Sequence, residues 1–318
     1  MASVSPRTLQ VRLLILVLLA FIPAIGFFQY ANGNLRDLQV LSHEQELLQR
    51  AADLATEYQT ILGQNRSLLA TLAEFPEIRN GQAPACNTYL ERIIHHFEGL
   101  TTISLIGLDG YLACGAVLPT SSLYLGDRLY YLRANSRRDF AVGEFALGRI
   151  SGLPVVGVAL PIIEGDEIRA VLASSVDLNL LANRISATYL PHGYTLTILD
   201  REGKVMVRLP RTGDFTLADS VGAVVGADFP PFPESRTAIL AEGVDLDGMA
   251  RLFAVAPLRG SIGNPQGYLA FGRTKATLME EVDAVVDREL HFLAAGAVAL
   301  LALAWILGHF WVARVPEA

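Results

Sequence analysis

Over 318 residues the chain carries a net charge of -7 and is 52% hydrophobic, with a mean hydropathy of +0.37. The acidic balance, without a basic stripe or basic residues interleaved with aromatic ones, excludes a nucleic-acid role. The positive mean hydropathy exceeds what an ordinary soluble domain carries, so the apolar excess has to be located.

It lies at the two ends. Residues 13–28 read LLILVLLAFIPAIGFF without a charge, and residues 292–312 read FLAAGAVALLALAWILGHFWV with His309 as the one titratable side chain. With their flanks, each run approaches the ~20 residues that cross a bilayer as a helix. Trp305 and Trp311 suit the interfacial aromatic belt, and Pro23 is tolerable where freed backbone groups are re-satisfied locally. Arg7 and Arg12 would also suit the n-region of a signal peptide, but GFFQYANGN lacks a small-x-small cleavage site and the run is long, so an uncleaved anchor is expected. With Arg314 after the second run, the positive-inside rule places both ends in the cytoplasm and everything from Tyr30 to His291 outside it. The expected order starts with a cytoplasmic segment 1–10 and a transmembrane helix 11–30. It ends with a transmembrane helix 292–312 and a cytoplasmic tail 313–318.

After the first run comes a long helical pattern, assigned to 31–80. Leu38, Leu41, Leu48, Leu54, Tyr58, Ile61, Leu62, Leu68 and Leu72 recur at helical intervals, and no proline interrupts before Pro76. Such a stalk packs its apolar face along a sheet or along a second copy of itself as a homodimer seam. From Thr101 the period changes to two. TTISLIG and YLACGAV flank an Asp109-Gly110 turn, and two further strands flank Glu164-Gly165-Asp166 before the short helix DLNLLANRI. The same grammar returns in YTLTILD-REG-KVMVRL, MARLFAVAPLRG and QGYLAFGRT. This reads as one α/β module used twice, over 81–185 and 186–273, too few copies for a solenoid. A last helical segment, 274–291, feeds the second apolar run without an intervening Gly or Pro.

Cys86 and Cys114 both lie in the outer region. There an oxidising compartment would join them if they are close in space; otherwise they are two small buried hydrophobes.

Two spans, a long first helix, tandem strand-turn-strand modules and a helix entering the second span together resemble the double Cache (PDC-type) sensor domains of bacterial two-span receptors. The stretch GDRLYYLRANSRRDFAVGEFALGRISGLPVVGVALPI carries the resemblance most specifically. Arg128, Tyr130 and Tyr131 match the family's Arg-x-aromatic-aromatic element, Phe145 falls at the next aromatic position, and Asp177 at the acid ending SSVDL. The resemblance implies an α+β fold, in which a long N-terminal helix packs on two tandem PAS-like antiparallel-sheet modules flanked by two transmembrane helices. It implies a ligand pocket in the membrane-distal module and a place in the bacterial inner membrane with the middle region periplasmic. Against the family's amino-acid-sensing pattern, Tyr130 stands for Trp, Phe145 for Tyr and Leu147 for the first Asp. An ordinary α-amino acid is therefore a less natural ligand than another small, anionic organic molecule.

The residues read the same way by their chemistry. Arg128 offers a planar fork of donors for a carboxylate or phosphate, Tyr130, Tyr131 and Phe145 supply aromatic walls, and Asp177 an acceptor. Each has a plainer alternative. Asp177 opens a helix and is a good N-cap, the aromatics can be core, Arg128 can pair with Asp127 or Glu144, and Arg149 can face the pocket mouth or solvent. An enzyme is not expected: no nucleophile elbow, P-loop, HExxH or Cys-x-x-Cys is present. His95 and His96 are adjacent on a helical stretch, where neighbours point apart, so neither a metal nor another cofactor is expected. The expected function is a sensor that passes a small-molecule signal through its terminal helix to a separate cytoplasmic module of kinase, diguanylate cyclase or chemotaxis type. The alternative is an accessory membrane protein whose outer domain binds a partner protein.

Overall fold

Apart from Asn65, every third or fourth residue from Leu47 to Leu72 is apolar, and helix α1 (Pro6–Ala73) buries that seam. Leu47, Ala51, Leu54, Tyr58, Leu62, Leu69 and Leu72 are buried, while Leu38 and Leu41 further up the same face are exposed. The computed structural model describes residues 6–180, 182, 190, 193–210, 222–260, 265–280 and scattered positions to 306, with side chains from residue 37. Residues 46–275 form one compact unit; residues 1–45 and 276–318 form another.

In the larger unit α1 stops where Pro76 starts the short helix α2 (Pro76–Arg79), and α3 (Ala85–Ile94) follows. Five strands then form an antiparallel sheet in the order β2-β1-β5-β4-β3. They are β1 (Leu100–Ile106), β2 (Leu112–Gly115), β3 (Ala141–Leu147), β4 (Pro154–Glu164) and β5 (Glu167–Asp177), with helix α4 (Leu129–Arg137) between β2 and β3. The second sheet repeats the order as β7-β6-β10-β9-β8. Its strands are β6 (Tyr194–Asp200), β7 (Val205–Leu209), β8 (Ile239–Val244), β9 (Ala250–Arg259) and β10 (Pro265–Thr274). The turns expected at Asp109-Gly110, Glu164-Gly165-Asp166 and Arg201-Glu202-Gly203 join β1 to β2, β4 to β5 and β6 to β7. Tyr130 and Tyr131 lie on α4 rather than on a strand.

Period-two alternation gives each sheet two apolar faces. Ile103, Leu105, Leu172 and Val176 of the first sheet and Leu196, Ile198, Leu269 and Phe271 of the second join the α1 seam in one core. The opposite face of the first sheet packs on α4 through Tyr131 and Ala134. That of the second carries Phe229, Phe253 and Val255. One polar residue interrupts the seam: Asn65, whose Nδ2 donates to Ile61 O at 2.9 Å while its Oδ1 accepts from Ser174 Oγ at 3.1 Å. A buried polar pair of this kind is favourable only when both partners meet, so it fixes the register of α1 on β5.

The side chains of the first apolar run and much of the second run lie outside the described residues, as do four of the nine residues of DLNLLANRI and part of 274–291. Among the described residues no helix is long and apolar enough to cross a membrane. The described large apolar side chains of the second run, Phe292, Val298, Leu303, Trp305 and Ile306, are exposed.

The structure joins Cys86 of α3 to Cys114 of β2, with Cα atoms 6.0 Å apart and a sequence separation of 28. Both are fully buried, so the bridge ties α3 to the edge strand of the first sheet. Replacing both with serine should cost about 3.5 kcal/mol by loop entropy, read as a lower denaturation midpoint in urea. Intact mass before and after reduction should differ by two hydrogens.

Candidate functional site

Arg128 precedes the first turn of α4 in an extended conformation (φ -74°, ψ 137°) and does not cap it with its side chain. The guanidinium instead turns onto the outer face of the first sheet. There Nη2 donates to Leu147 O at 3.0 Å and Nη1 stands 3.9 Å from Glu144 Oε1. At 3.9 Å the two charges attract without a hydrogen bond. Glu144 Oε2 is buried and has no hydrogen-bond partner among the described residues. Around this pair lie Thr102 and Ser104 of β1, Ser175 of β5, Val155 and Gly157 of β4, and the β3–β4 loop from Gly148 to Ser151. The free volume is ≈ 20 Å³, room for about one water.

Tyr130 is what makes the space small. Its ring packs against the strand at Gly157, where an added methyl group would come within 2.3 Å of ring carbon Cδ1. Burial raises the Tyr130 phenol above its ordinary pKa, against the pull of the Arg128 guanidinium. The ring therefore stays neutral and can donate as well as accept.

Arg149 also lines this cavity. Its Nη1 and Nη2 donate to Asp127 Oδ1 and Oδ2, each at 2.6 Å, and Nη1 also reaches Tyr124 O at 2.8 Å. Asp127 is thus held below its ordinary pKa, first by the hydrogen bond from Arg149. Both side chains keep solvent contact, 36% and 50% exposed, and exposed pairs contribute only about 0.2–1 kcal/mol. The pair is therefore a fastening that can open and re-form.

Of the five residues expected at the site, the structure brings Arg128 and Tyr130 together. Tyr131 points into the α4 core and donates its hydroxyl to Gly107 O and Leu108 O. Phe145 faces the other side of β3: its ring meets Tyr58 edge to face at 5.9 Å and lies close to Gly267 of β10. Residues alternate across a strand, so Glu144 and Ala146 face the cavity and Phe145 cannot. Asp177 ends β5, where its Oδ1 accepts from the Asn179 N–H at 2.8 Å as the N-cap reading expects. It lines a different cleft of ≈ 240 Å³, between α1 and β5, with Asn65, Phe97 and Leu180. Sequence reasoning named Glu144 only as a possible ion-pair partner of Arg128 and passed over Thr102, Ser104 and Ser175; the signal for Glu144 was a lone acid in the otherwise uncharged stretch AVGEFAL.

Comparison with solved structures bears on the fold. The chain superposes on the extracellular domain of rpHK1S-Z16, assigned as a histidine kinase, with TM-score 0.61 at 17% identity, covering 76% of this chain and 98% of that one. It superposes on the ligand-binding domain of the Pseudomonas aeruginosa PAO1 amino acid chemoreceptor PctB, in complex with L-Arg, with TM-score 0.57 at 18% identity, covering 74% and 96%. It also matches the ligand-binding domain of the Pseudomonas fluorescens chemoreceptor CtaA, in complex with L-isoleucine, with TM-score 0.57 at 16% identity, covering 77% and 98%. The chain has the double Cache fold. No family model matches the sequence, and no curated protein matches it. The structural neighbours are sensor and receptor domains rather than enzymes.

Two measurements probe the site. Gly157→Ala should drive the Tyr130 ring off β4 and widen the cavity, seen as a changed Tyr130 rotamer in a crystal structure of the variant. Asp127 should titrate below the ordinary aspartate value near 3.9 in carbon-detected NMR, and Arg149→Ala should move its midpoint back up. By linkage, a carboxyl depressed in the folded state contributes stability above about pH 4 and loses it as pH falls through the folded midpoint. The fastening should therefore fail only in acid.

Proposed function

We propose that the chain is a membrane-anchored extracytoplasmic sensor whose first module, 81–185, takes a small organic ligand between Arg128 and Glu144. The observation that carries the reading is the incomplete pairing of those two charges, which attract without a hydrogen bond. Arg128 is largely buried, its side chain 16% exposed, yet stands too far from Glu144 to hydrogen-bond it, and the buried Oε2 of Glu144 has no hydrogen-bond partner among the described residues. A burial that leaves an acceptor unmatched costs free energy unless something else meets it. A molecule that offers an anionic group to Arg128 and a donor to Glu144 would satisfy both. The hydroxyls of Thr102, Ser104 and Ser175 beneath them would fix its orientation.

With ≈ 20 Å³ free, the site takes such a molecule only if Tyr130 or the β3–β4 loop gives way, and the Asp127–Arg149 fastening is weak enough to allow that. Ligand entry and loop movement are then one event. Binding shifts the receptor's equilibrium only by the difference in affinity between its states. Phe145 carries that difference inward, being adjacent to Glu144 on β3 and in contact with α1 and β10. Strand β10 ends at Thr274, and positions 275–280 continue as helix. In this reading 274–291 is the output helix, 11–30 and 292–312 are the membrane spans, and the module 186–273 stands nearer the membrane. Support for the second span comes from its exposed Phe292, Leu303 and Trp305, an apolar surface that lipid would cover. The signal would pass to a cytoplasmic partner, and a pair of chains could join along the exposed Leu38 and Leu41.

The test is a thermal-shift screen of the full chain in detergent against organic acids, amines and nucleobases. A ligand at a hundred times its dissociation constant should stabilise the wild type by about 2.7 kcal/mol, and Arg128→Ala and Glu144→Gln should each remove most of that gain. Equal stabilisation of the wild type and Arg128→Ala would place the ligand elsewhere. A broad library without a hit would favour a partner protein on the outer domain.

A further inference from the structure

The two sheets match strand for strand, and the match locates the counterpart of the ligand cavity in the second module. In the first sheet Thr102 pairs with Ser175 and Ser104 with Ala173, and Gly157 pairs with Ser175 from the other side. In the second sheet Thr195 pairs with Gly272 and Thr197 with Ala270, and Phe253 pairs with Gly272. The Thr195–Thr197 floor is therefore the equivalent of Thr102–Ser104. The β8–β9 hairpin is the equivalent of the β3–β4 loop that carries Arg149.

In the second module that place is full. The ring of Phe253 lies over Gly272 so closely that an added methyl group there would meet ring carbon Cε1 at 2.5 Å, the role Tyr130 plays over Gly157. Beside it Asp245, its side chain fully buried, projects from the β8–β9 hairpin. Its Oδ1 accepts from Arg208 Nη1, and its Oδ2 accepts from Arg251 Nη1 at 2.8 Å and from Thr195 Oγ1 at 3.0 Å. Arg208 and Arg251 are 7% and 5% exposed, and both also reach Asp247, which is 29% exposed. Two buried guanidiniums and a threonine hydroxyl converging on one carboxylate are what a protein builds to hold a carboxylate ligand.

We propose that the second module is liganded by its own chain: Asp245 occupies a carboxylate site formed by Arg208, Arg251 and Thr195, and that site is latent for small free carboxylates. Self-occupation leaves the first module as the one open to an outside ligand and holds the second as a closed body against β10. Arg251 pairs with Thr274 at the end of that strand, so the internal ligand sits beside the exit toward 275–280. The proposal stands apart from ligand binding at Arg128.

Chemical rescue tests it. In the full chain in detergent, Asp245→Ala should lower the melting temperature by roughly 10 °C, because it strands a buried cation. Sodium formate or acetate should then restore at least half of the loss, with sodium chloride at equal ionic strength restoring little. The same anions should leave the wild type unmoved, and adding Arg128→Ala should not change the rescue. If the alanine variant does not accumulate folded, Asp245→Ser, which removes the charge, leaves room for formate and keeps a hydroxyl for the guanidiniums, takes the same titration. Rescue by chloride equal to rescue by carboxylate, in whichever variant folds, would overturn the proposal. So would rescue that disappears with Arg128→Ala.

Discussion

The apolar seam of α1 from Leu47 to Leu72 is the constraint that the rest of the larger unit obeys. Each five-stranded sheet presents an apolar face that needs a partner, and both find it on this one helix. Fully buried leucines such as Leu47 and Leu69 each stabilise by about 2 kcal/mol through area removed from water. The polar pair of Asn65 with Ser174 discriminates instead by register, because a shifted helix would bury both groups unmatched. With inner faces spoken for, the outer faces are left for chemistry. The cavity under Tyr130 and the ion cluster around Asp245 both lie there.

The two modules share a frame and differ in what fills it. In the first, Arg128 and Glu144 approach without bonding, and an exposed ion pair covers them. In the second, Arg208, Arg251, Asp245 and Asp247 complete one another. Burial works to raise the Asp247 carboxyl, yet the hydrogen bond from Arg251 and its neighbours leaves it below the ordinary value, as befits an ion that stays charged. A site short of partners is suited to receiving something. A site complete in itself is suited to rigidity.

Much of this was legible before any coordinates. The switch from helical to alternating periodicity marked the end of the stalk and the start of the sheets, and glycine-bearing turns marked three hairpins. Arg128 and Tyr130 were singled out because they match the Arg-x-aromatic-aromatic element of the family that the sequence resembles, and the structure brings them to one cavity. Phe145 and Asp177 went elsewhere for reasons sequence can state but not weigh: the strand turns Phe145 from the cavity, and helix capping claims Asp177. Glu144 needed the pairing of β3 with β4 to show which face it takes. The cluster around Asp245 was harder still, since Arg208 lies on another strand far along the chain. Its trace was only that VMVRL and ARLF each place an arginine in an otherwise apolar strand.

Strand β3 lies at the edge of the first sheet, held by neighbours on one side only, and its consecutive residues look into different compartments. Glu144 sees whatever enters beneath Tyr130, and Phe145 sees Tyr58 of the long helix and Gly267 of the other sheet. An edge strand can tilt without breaking a ladder on its free side. Under the proposed reading, a fraction of an ångström gained at the carboxylate would be returned, with opposite sign, at the phenyl ring. Such a strand would behave as a seesaw whose pivot is its own backbone.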